Sequence, residues 1–278
     1  MRGDVNANAF ARKYGPWALV TGGAMGLGAA FAERLASVGI NLILVDRAAD
    51  AVSERAEGLR RRFAAVQIRD AVADLADMAE VERVLNDAAD VEVGLLVACA
   101  AHAATASWLD IPLEDKIRQI QVNCVAVTQM VDRLSRSMVG RRRGGIIVVS
   151  SAAGQIGTPL AATYAATKAF DLILGESLWA ELRGSGVDVL ALMPGMTRTP
   201  GFEGSLGPGA KLPKGVEVME PEDVVREALD ALGERPSLVA GRRNRLANVM
   251  TQRLLPRKAA IELMARSMRS MYPGAKRP

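Results

Sequence analysis

Trp17-Ala18-Leu19-Val20-Thr21-Gly22-Gly23-Ala24-Met25-Gly26-Leu27-Gly28 is the stretch that decides the fold. A short apolar run, 17–21, enters a glycine cluster, and a helical pattern follows with Phe31, Leu35 and Val38 on one side. Glycine is needed where the chain turns sharply, where backbone must approach a pyrophosphate, and where a helix packs close on its strand. The helix start then offers free N–H groups and a positive dipole end to phosphates. Thr21, Gly22, Gly26, Leu27 and Gly28 are therefore candidate dinucleotide-binding residues.

Working outward, further apolar runs read as strands at 41–45, 65–68, 93–99, 145–150, 187–193 and 237–240. They are short, rich in Val, Ile and Leu, and apolar on both faces, as parallel strands covered by helices must be. Helix-length spacers separate them. The alternation predicts one α/β domain, a doubly wound Rossmann-type sheet, over residues 1–241. Within it, residues 195–215 are too dense in Gly and Pro for a helix and read as a long loop placed as a substrate lid.

Composition narrows the class. The chain has 278 residues, 50% hydrophobic and 24% charged, which is ordinary globular usage. No apolar run approaches the roughly 20 residues that span a bilayer, and the first residues have no signal-peptide pattern, so a cytoplasmic protein is expected. Two cysteines outside any CxxC pair and one histidine argue against a metal site. Residues 1–235 carry 25 basic against 30 acidic side chains, whereas 236–278 carry 10 against 1. The basic balance thus belongs to the end of the chain and is no general argument for nucleic-acid binding.

Asp46 ends the second strand, 18 residues after Gly28. A carboxylate there accepts hydrogen bonds from both hydroxyls of an adenosine ribose and repels a 2′-phosphate. Arg47 follows and would attract that phosphate, but the glycine loop holds no basic residue to assist it. NAD is favoured over NADP. Asp74, just past the third strand, is either an adenine contact or a helix cap before Met78.

The chemistry points to Tyr164-Ala165-Ala166-Thr167-Lys168. The i, i+4 spacing puts phenol and ammonium on one helical face. A free phenol, with a pKa of about 10, is a poor base at neutral pH, and a neighbouring cation favours its phenolate. Ser151 lies 13 residues before Tyr164, at the end of the strand 145–150, where a hydroxyl can reach a substrate oxygen. Asn123 interrupts an apolar helix, and a buried amide needs partners; one use is to hold a water linking Lys168 to solvent, and another is simply to satisfy core groups.

Taken together and in order, the TGxxxGxG loop, Asp46, the Asn123–Ser151–Tyr164–Lys168 set and Pro194-Gly195-Met196-Thr197-Arg198-Thr199 resemble the short-chain dehydrogenase/reductase family over residues 14–240. The resemblance implies a mainly parallel seven-stranded sheet, NAD(P) without metal, and interconversion of a secondary alcohol and a ketone. It also implies that Tyr164 is the acid/base, Lys168 holds the nicotinamide ribose, Ser151 polarises the carbonyl and Asn123 supports the proton relay. Leu75, Ala100, Pro194, Gly195, Thr197 and Thr199 join Asp46, Arg47 and Asp74 as cofactor contacts, Thr199 at the carboxamide. One departure stands out: Ala98-Cys99-Ala100-Ala101 replaces the family's Asn-Asn-Ala-Gly, removing an amide that ties neighbouring strands. Tyr14-Gly15-Pro16-Trp17 and the basic C-terminal end are similar to a subgroup related to hydroxysteroid dehydrogenases and long-chain ketoacyl reductases. Family members commonly form homo-dimers or tetramers. Cys99 reads as an apolar filler, and His102 lies near the expected cleft.

Phe202, Leu206 and Leu212 in the lid suit either a non-polar substrate or packing on the protein body; Arg198 beside them could bind a carboxylate but reads as a solvated loop residue. Residues 242–278 form a basic amphipathic tail that divides at Pro256. Its second part sets Ile261, Met264, Met268 and Met271 or Tyr272 on one face, with Arg257, Arg266 and Arg269 away from it. Docking of that stripe on the body or a sister subunit is the favoured reading. Weak peripheral contact with an anionic membrane and capture of an anionic substrate carrier are the alternatives. A non-catalytic dinucleotide sensor or scaffold would use the same fold but has no need of Ser, Tyr and Lys together.

Overall fold

The computed structural model describes residues 7–206, 209–213 and 216–275. In chain order its elements are α1 (Ala7–Tyr14), β1 (Trp17–Thr21), α2 (Gly26–Ser37), β2 (Asn41–Asp46), α3 (Ala49–Arg62), β3 (Ile68–Val72), α4 (Met78–Asp87), β4 (Val93–Ala98), α5 (Leu113–Ile120), α6 (Ala126–Gly140), β5 (Gly144–Val149), α7 (Ala162–Glu181), β6 (Val187–Met193), α8 (Pro200–Ser205), α9 (Pro221–Ala231), β7 (Ser237–Val239), α10 (Arg242–Val249) and α11 (Arg257–Met271). A π-helical turn, Gln121–Val125, joins α5 to α6, and another, Met250–Leu254, extends α10.

The strands form one seven-stranded sheet in the order β3-β2-β1-β4-β5-β6-β7, with every neighbouring pair parallel. Successive side chains leave a strand on opposite faces, so each run feeds two cores. Ala18, Val20, Leu42, Leu44, Val97 and Val149 pack under α2, α3 and α9 around Phe31, Leu35, Val52 and Val224. Leu19, Ile43, Val45, Leu96, Ile146 and Val148 pack under α4 and α6 around Val84 and Met130. Both faces are covered, which is why these strands read as continuous apolar runs.

Two expectations are corrected. The third strand lies at Ile68–Val72, not 65–68. It pairs only with β2, at the edge of the sheet, and after buried Ile68 it alternates half-buried Arg69 and Ala71 with exposed Asp70 and Val72. An edge strand with one wet face shows alternation instead of an apolar run. The segment 195–215 is not wholly irregular: Pro200–Ser205 is helical because Thr199 caps it, accepting from the Phe202 N–H at 3.2 Å, and Pro200 takes the first turn. Positions 207–208 and 214–215 of the expected lid lie outside the described residues.

Candidate active site

The strand order reverses at β1, leaving a crevice beyond the carboxyl ends of β1 and β4. The glycine loop occupies its floor. Gly22 has φ +68°, and a Cβ there would lie 3.0 Å from Ala100 Cα. A Cβ on Gly28 would lie 2.0 Å from the Gly22 carbonyl oxygen, so only glycine lets α2 seat on the turn. Gly26 has φ +58° and faces Thr199 Cγ2, which brings together residues 173 apart in sequence. Met25 at the head of α2 makes no side-chain cap, so the first-turn N–H groups have no side-chain partner there. This backbone-lined cradle at an uncapped helix start fits a dinucleotide pyrophosphate.

The strand tie expected from the missing amide is supplied by other residues. Thr21 Oγ1 accepts from the Cys99 and Ala100 N–H groups, each at 3.0 Å. Asn123, buried on the π-turn, accepts from the His102 N–H at 2.8 Å and donates to the His102 carbonyl at 2.9 Å and to Thr167 Oγ1 at 2.9 Å. Its side chain therefore locks the β4 exit onto α7. Its side-chain amide thus satisfies groups of the protein core. The His102 ring faces Asp115 at 3.4 Å. Burial pushes the Cys99 thiol up to about 12, which removes it as a nucleophile.

Asp46 is held at the loop: Oδ2 accepts from the Ala24 N–H at 3.2 Å and Oδ1 from the Ala48 N–H at 3.1 Å. Arg47 is exposed beside it. Sequence reasoning missed Arg55, whose Nε on α3 donates to the Ala24 carbonyl at 3.4 Å. No local pattern links residue 55 to the loop; only packing of α3 does. Asp74 is not the cap of α4. Both its oxygens take Arg118 Nη2 at 2.7 Å, and the cap is Asp77, bonded to the Ala79 N–H at 2.8 Å. Partial burial opposes it, but the Ala76 N–H and the Arg118 guanidinium hold the Asp74 carboxyl below the usual carboxylate range. The Leu75 side chain is buried in the core.

Tyr164 and Lys168 occupy the first turns of α7, with Lys168 Nζ 6.0 Å from the phenol ring centroid. Lys168 is buried and donates to the Val149 carbonyl at 2.7 Å and to Asp171 Oδ2 at 2.8 Å. Asp171 was also missed, although an acid within Ala169-Phe170-Asp171-Leu172-Ile173 was a legible anomaly. Ser151 caps the 3₁₀ turn Ala152–Gln155, accepting from the Ala153 N–H at 3.2 Å. That turn sits flush on α7: a Cβ on Gly154 would meet the Lys168 carbonyl carbon at 2.5 Å. Beyond β6, Pro194 accepts the Ala152 N–H at 2.9 Å, a Cβ on Gly195 would crowd Asn244 at 2.9 Å, and buried Thr197 bridges to Met219. Arg198 is engaged by Glu220 at 2.8 Å and Glu203 at 3.5 Å.

The C-terminal segment completes this end of the molecule. Met268 and Met271 of α11 are buried with Ala161, and Tyr164, Leu160, Met196, Leu206, Met264 and Tyr272 pack around them. Ser205 and Tyr272 hydroxyls lie 3.2 Å apart, Arg257 Nη1 donates to the Gln155 carbonyl at 3.0 Å, and the Lys211 N–H donates to the Ser270 carbonyl at 2.9 Å. Arg257, Arg266 and Arg269 are exposed. The methionine stripe thus docks on the chain's own body, over Tyr164.

An uncapped glycine cradle at the switch point of a parallel sheet, with a Tyr–Lys helix beside it, defines a dinucleotide-dependent oxidoreductase class. The short chain dehydrogenase family model matches residues 16–206, and the chain belongs to that family. It is 32% identical to a 7beta-hydroxysteroid dehydrogenase of Collinsella aerofaciens, over 84% of this chain and 89% of the relative. It is 30% identical to the human very-long-chain 3-oxoacyl-CoA reductase, over 65% of this chain and 59% of that protein. Among solved structures, one described for 7beta-hydroxysteroid dehydrogenase stereoselectivity superposes with a TM-score of 0.85 at 30% identity, covering 92% of this chain and 98% of that one. A Sphingobium yanoikuyae short-chain dehydrogenase in complex with NADPH gives 0.71 at 31% identity, covering 81% and 87%. Among the described residues no helix is long and apolar enough to cross a membrane.

Proposed function

We propose that the protein interconverts a secondary alcohol and a ketone on a bulky, non-polar substrate, with Tyr164 as the acid/base. The observation that carries this reading is the roof. Tyr164 packs against an apolar cluster that includes Leu160, Met196, Leu206, Met264, Met268 and Met271. A reacting hydroxyl beside such a surface selects a substrate with large apolar area, since burial contributes roughly 25 cal/mol per Å².

NAD(P), when bound, supplies or accepts the hydride at its nicotinamide ring. The first turn of α2 and the Gly22–Gly28 backbone would hold its pyrophosphate, and Asp46 its adenosine ribose. Lys168 and Thr199 would hold the nicotinamide side. Tyr164 Oη gives its proton to the carbonyl oxygen in reduction and takes it from the hydroxyl in oxidation. The Ser151 hydroxyl donates to the same oxygen and orients it. Asp46 favours NAD, because a fixed carboxylate repels a 2′-phosphate; Arg47 and Arg55 lessen that preference.

A second copy is the proposed partner. Leu113, Ile117 and Ile120 of α5 and Phe170 and Ile173 of α7 are exposed on two helices that pack together, a face suited to a homo-dimer or tetramer. With the methionine stripe of α11 turned inward, the surface that would meet an anionic bilayer is the outer one, Leu246, Val249, Met250 and Leu254 between Arg242 and Arg257.

The test is absorbance at 340 nm with NAD and NADP against steroid, aromatic and long-chain alcohols and ketones. The relatives' names put hydroxysteroids and 3-oxoacyl thioesters first in the panel. Turnover confined to small polar alcohols would overturn the apolar-substrate reading. No turnover with any member, together with tight cofactor binding, would favour the sensor instead.

A further inference from the structure

Lys168 and Asp171 are one turn apart on α7, and their side chains are only 3% and 1% exposed. The space around them is closed. Ser150 Oγ donates to the Lys168 carbonyl at 2.5 Å, and Gly154 sits against the same peptide. The ammonium has two acceptors, the Val149 carbonyl and Asp171 Oδ2. Asp171 Oδ1 has no hydrogen-bond partner, so within the structure Lys168 is the group that compensates the carboxylate.

A lysine buried this far without a counter-charge loses its proton, since desolvation penalises the ammonium. The groups facing the pair are few. They are Tyr164 on α7, Cys99 at the end of β4, Cys124 on the π-turn and the Val149 carbonyl of β5. Burial pushes the thiols up, to about 12 for Cys99 and about 11 for Cys124, so neither is anionic at neutral pH. We infer that Asp171 is a positioning residue that holds Lys168 as an ammonium ion against the Val149 carbonyl. This rests on the proposed role of the Tyr164–Lys168 pair. Burial lowers the Lys168 ammonium, but Asp171, with Tyr164, holds it above the ordinary lysine value. Burial raises the Asp171 carboxyl despite Lys168. The carboxylate also takes one of the three ammonium protons, and the Val149 carbonyl takes a second. Two of the three protons are thereby engaged, so that the pair fixes the direction of the ammonium as well as its charge.

The experiment is a pH titration of ¹³C-lysine-labelled protein by NMR, with Lys168 assigned by its loss in Lys168→Met, run on wild type and Asp171→Asn. In wild type the Lys168 Cε signal should stay in its ammonium position to pH ~10, near the ordinary lysine value. In Asp171→Asn it should titrate at least ~2 units lower, within the range buried lysines reach. kcat/KM, measured with the best substrate of the 340 nm screen, should fall ~10-fold between pH ~7 and ~9 in the variant only, as expected if the titrating lysine serves Tyr164. An unmoved Lys168 signal in the variant overturns the inference, and so does a moved signal with an unaltered pH profile. Failure of the Tyr164 mechanism is seen separately, as turnover by Tyr164→Phe. If Asp171→Asn does not fold, Lys168→Met/Asp171→Leu should fold and melt above Lys168→Met, because an apolar pair replaces a bare buried charge. A double variant no more stable than that single one would sink the proposal.

Discussion

The cofactor cradle and the substrate roof are built on opposite plans. The cradle is local: Thr21 to Gly28 form one strand-to-helix turn, and its function lies in backbone N–H groups and missing Cβ atoms. The roof gathers side chains from 160–164, 196–206 and 264–272, and its function lies in apolar surface. The cradle meets a ligand common to a whole family, so its geometry tolerates little change. Flexible methionines and a six-residue helix can be exchanged with smaller consequences, as the proposed role in substrate preference requires.

The sharpest break in this contrast is at the residue both regions share. Tyr164→Phe keeps the ring in the roof and removes the proton donor. kcat should fall at least ~10²-fold, the usual scale of acid/base catalysis, while a fluorescence titration with NAD gives a nearly unchanged Kd. Near-normal turnover would refute the mechanism.

Next comes Asp46→Ala. Loss of hydrogen bonds to a charged acceptor costs about 1.5–3 kcal/mol, so the ratio of kcat/KM for NAD over NADP should drop on the order of 10-fold or more. Adding Arg55→Ala should return part of that change; if it does not, Arg55 serves only the Ala24 carbonyl.

Gly28→Ala tests how rigid the cradle is. Its Cβ would meet the Gly22 oxygen at 2.0 Å, and crowding of this kind costs about 1–3 kcal/mol. KM for NAD should rise ~10-fold at constant kcat.

The smallest catalytic effect belongs to the roof. Met268→Ala should raise KM for an apolar ketone only a few-fold and leave kcat alone. The cavity should cost roughly 2 kcal/mol and lower Tm by about 4–8 °C, readable by calorimetry. A kcat loss as large as that of Tyr164→Phe would erase the distinction between the two regions.

Much of the fold was legible because strands buried on both faces leave unmistakable apolar runs. β1 and β6 have the bounds read from the sequence, whereas β3, half-wet at the sheet edge, was displaced by several residues. The site was less legible. Asp74 reads as an adenine contact or a helix cap, but the cap is Asp77, and Asp74 pairs with Arg118, 44 residues away. Asn123 signalled a buried amide correctly, yet what it binds is the His102 backbone and Thr167.

The sequence by itself determined the parallel α/β class, the glycine turn and the spacing of Tyr164 and Lys168, because these follow from local period and backbone freedom. It also placed the methionine stripe of the last helix on one face. Only the tertiary structure decided that this stripe roofs Tyr164, that Arg55 reaches the glycine loop and that Asp171 compensates Lys168 in a closed interior. Those facts depend on which surfaces are left for each helix to cover once the sheet has formed, and burial of apolar area has no direction that a local pattern could encode.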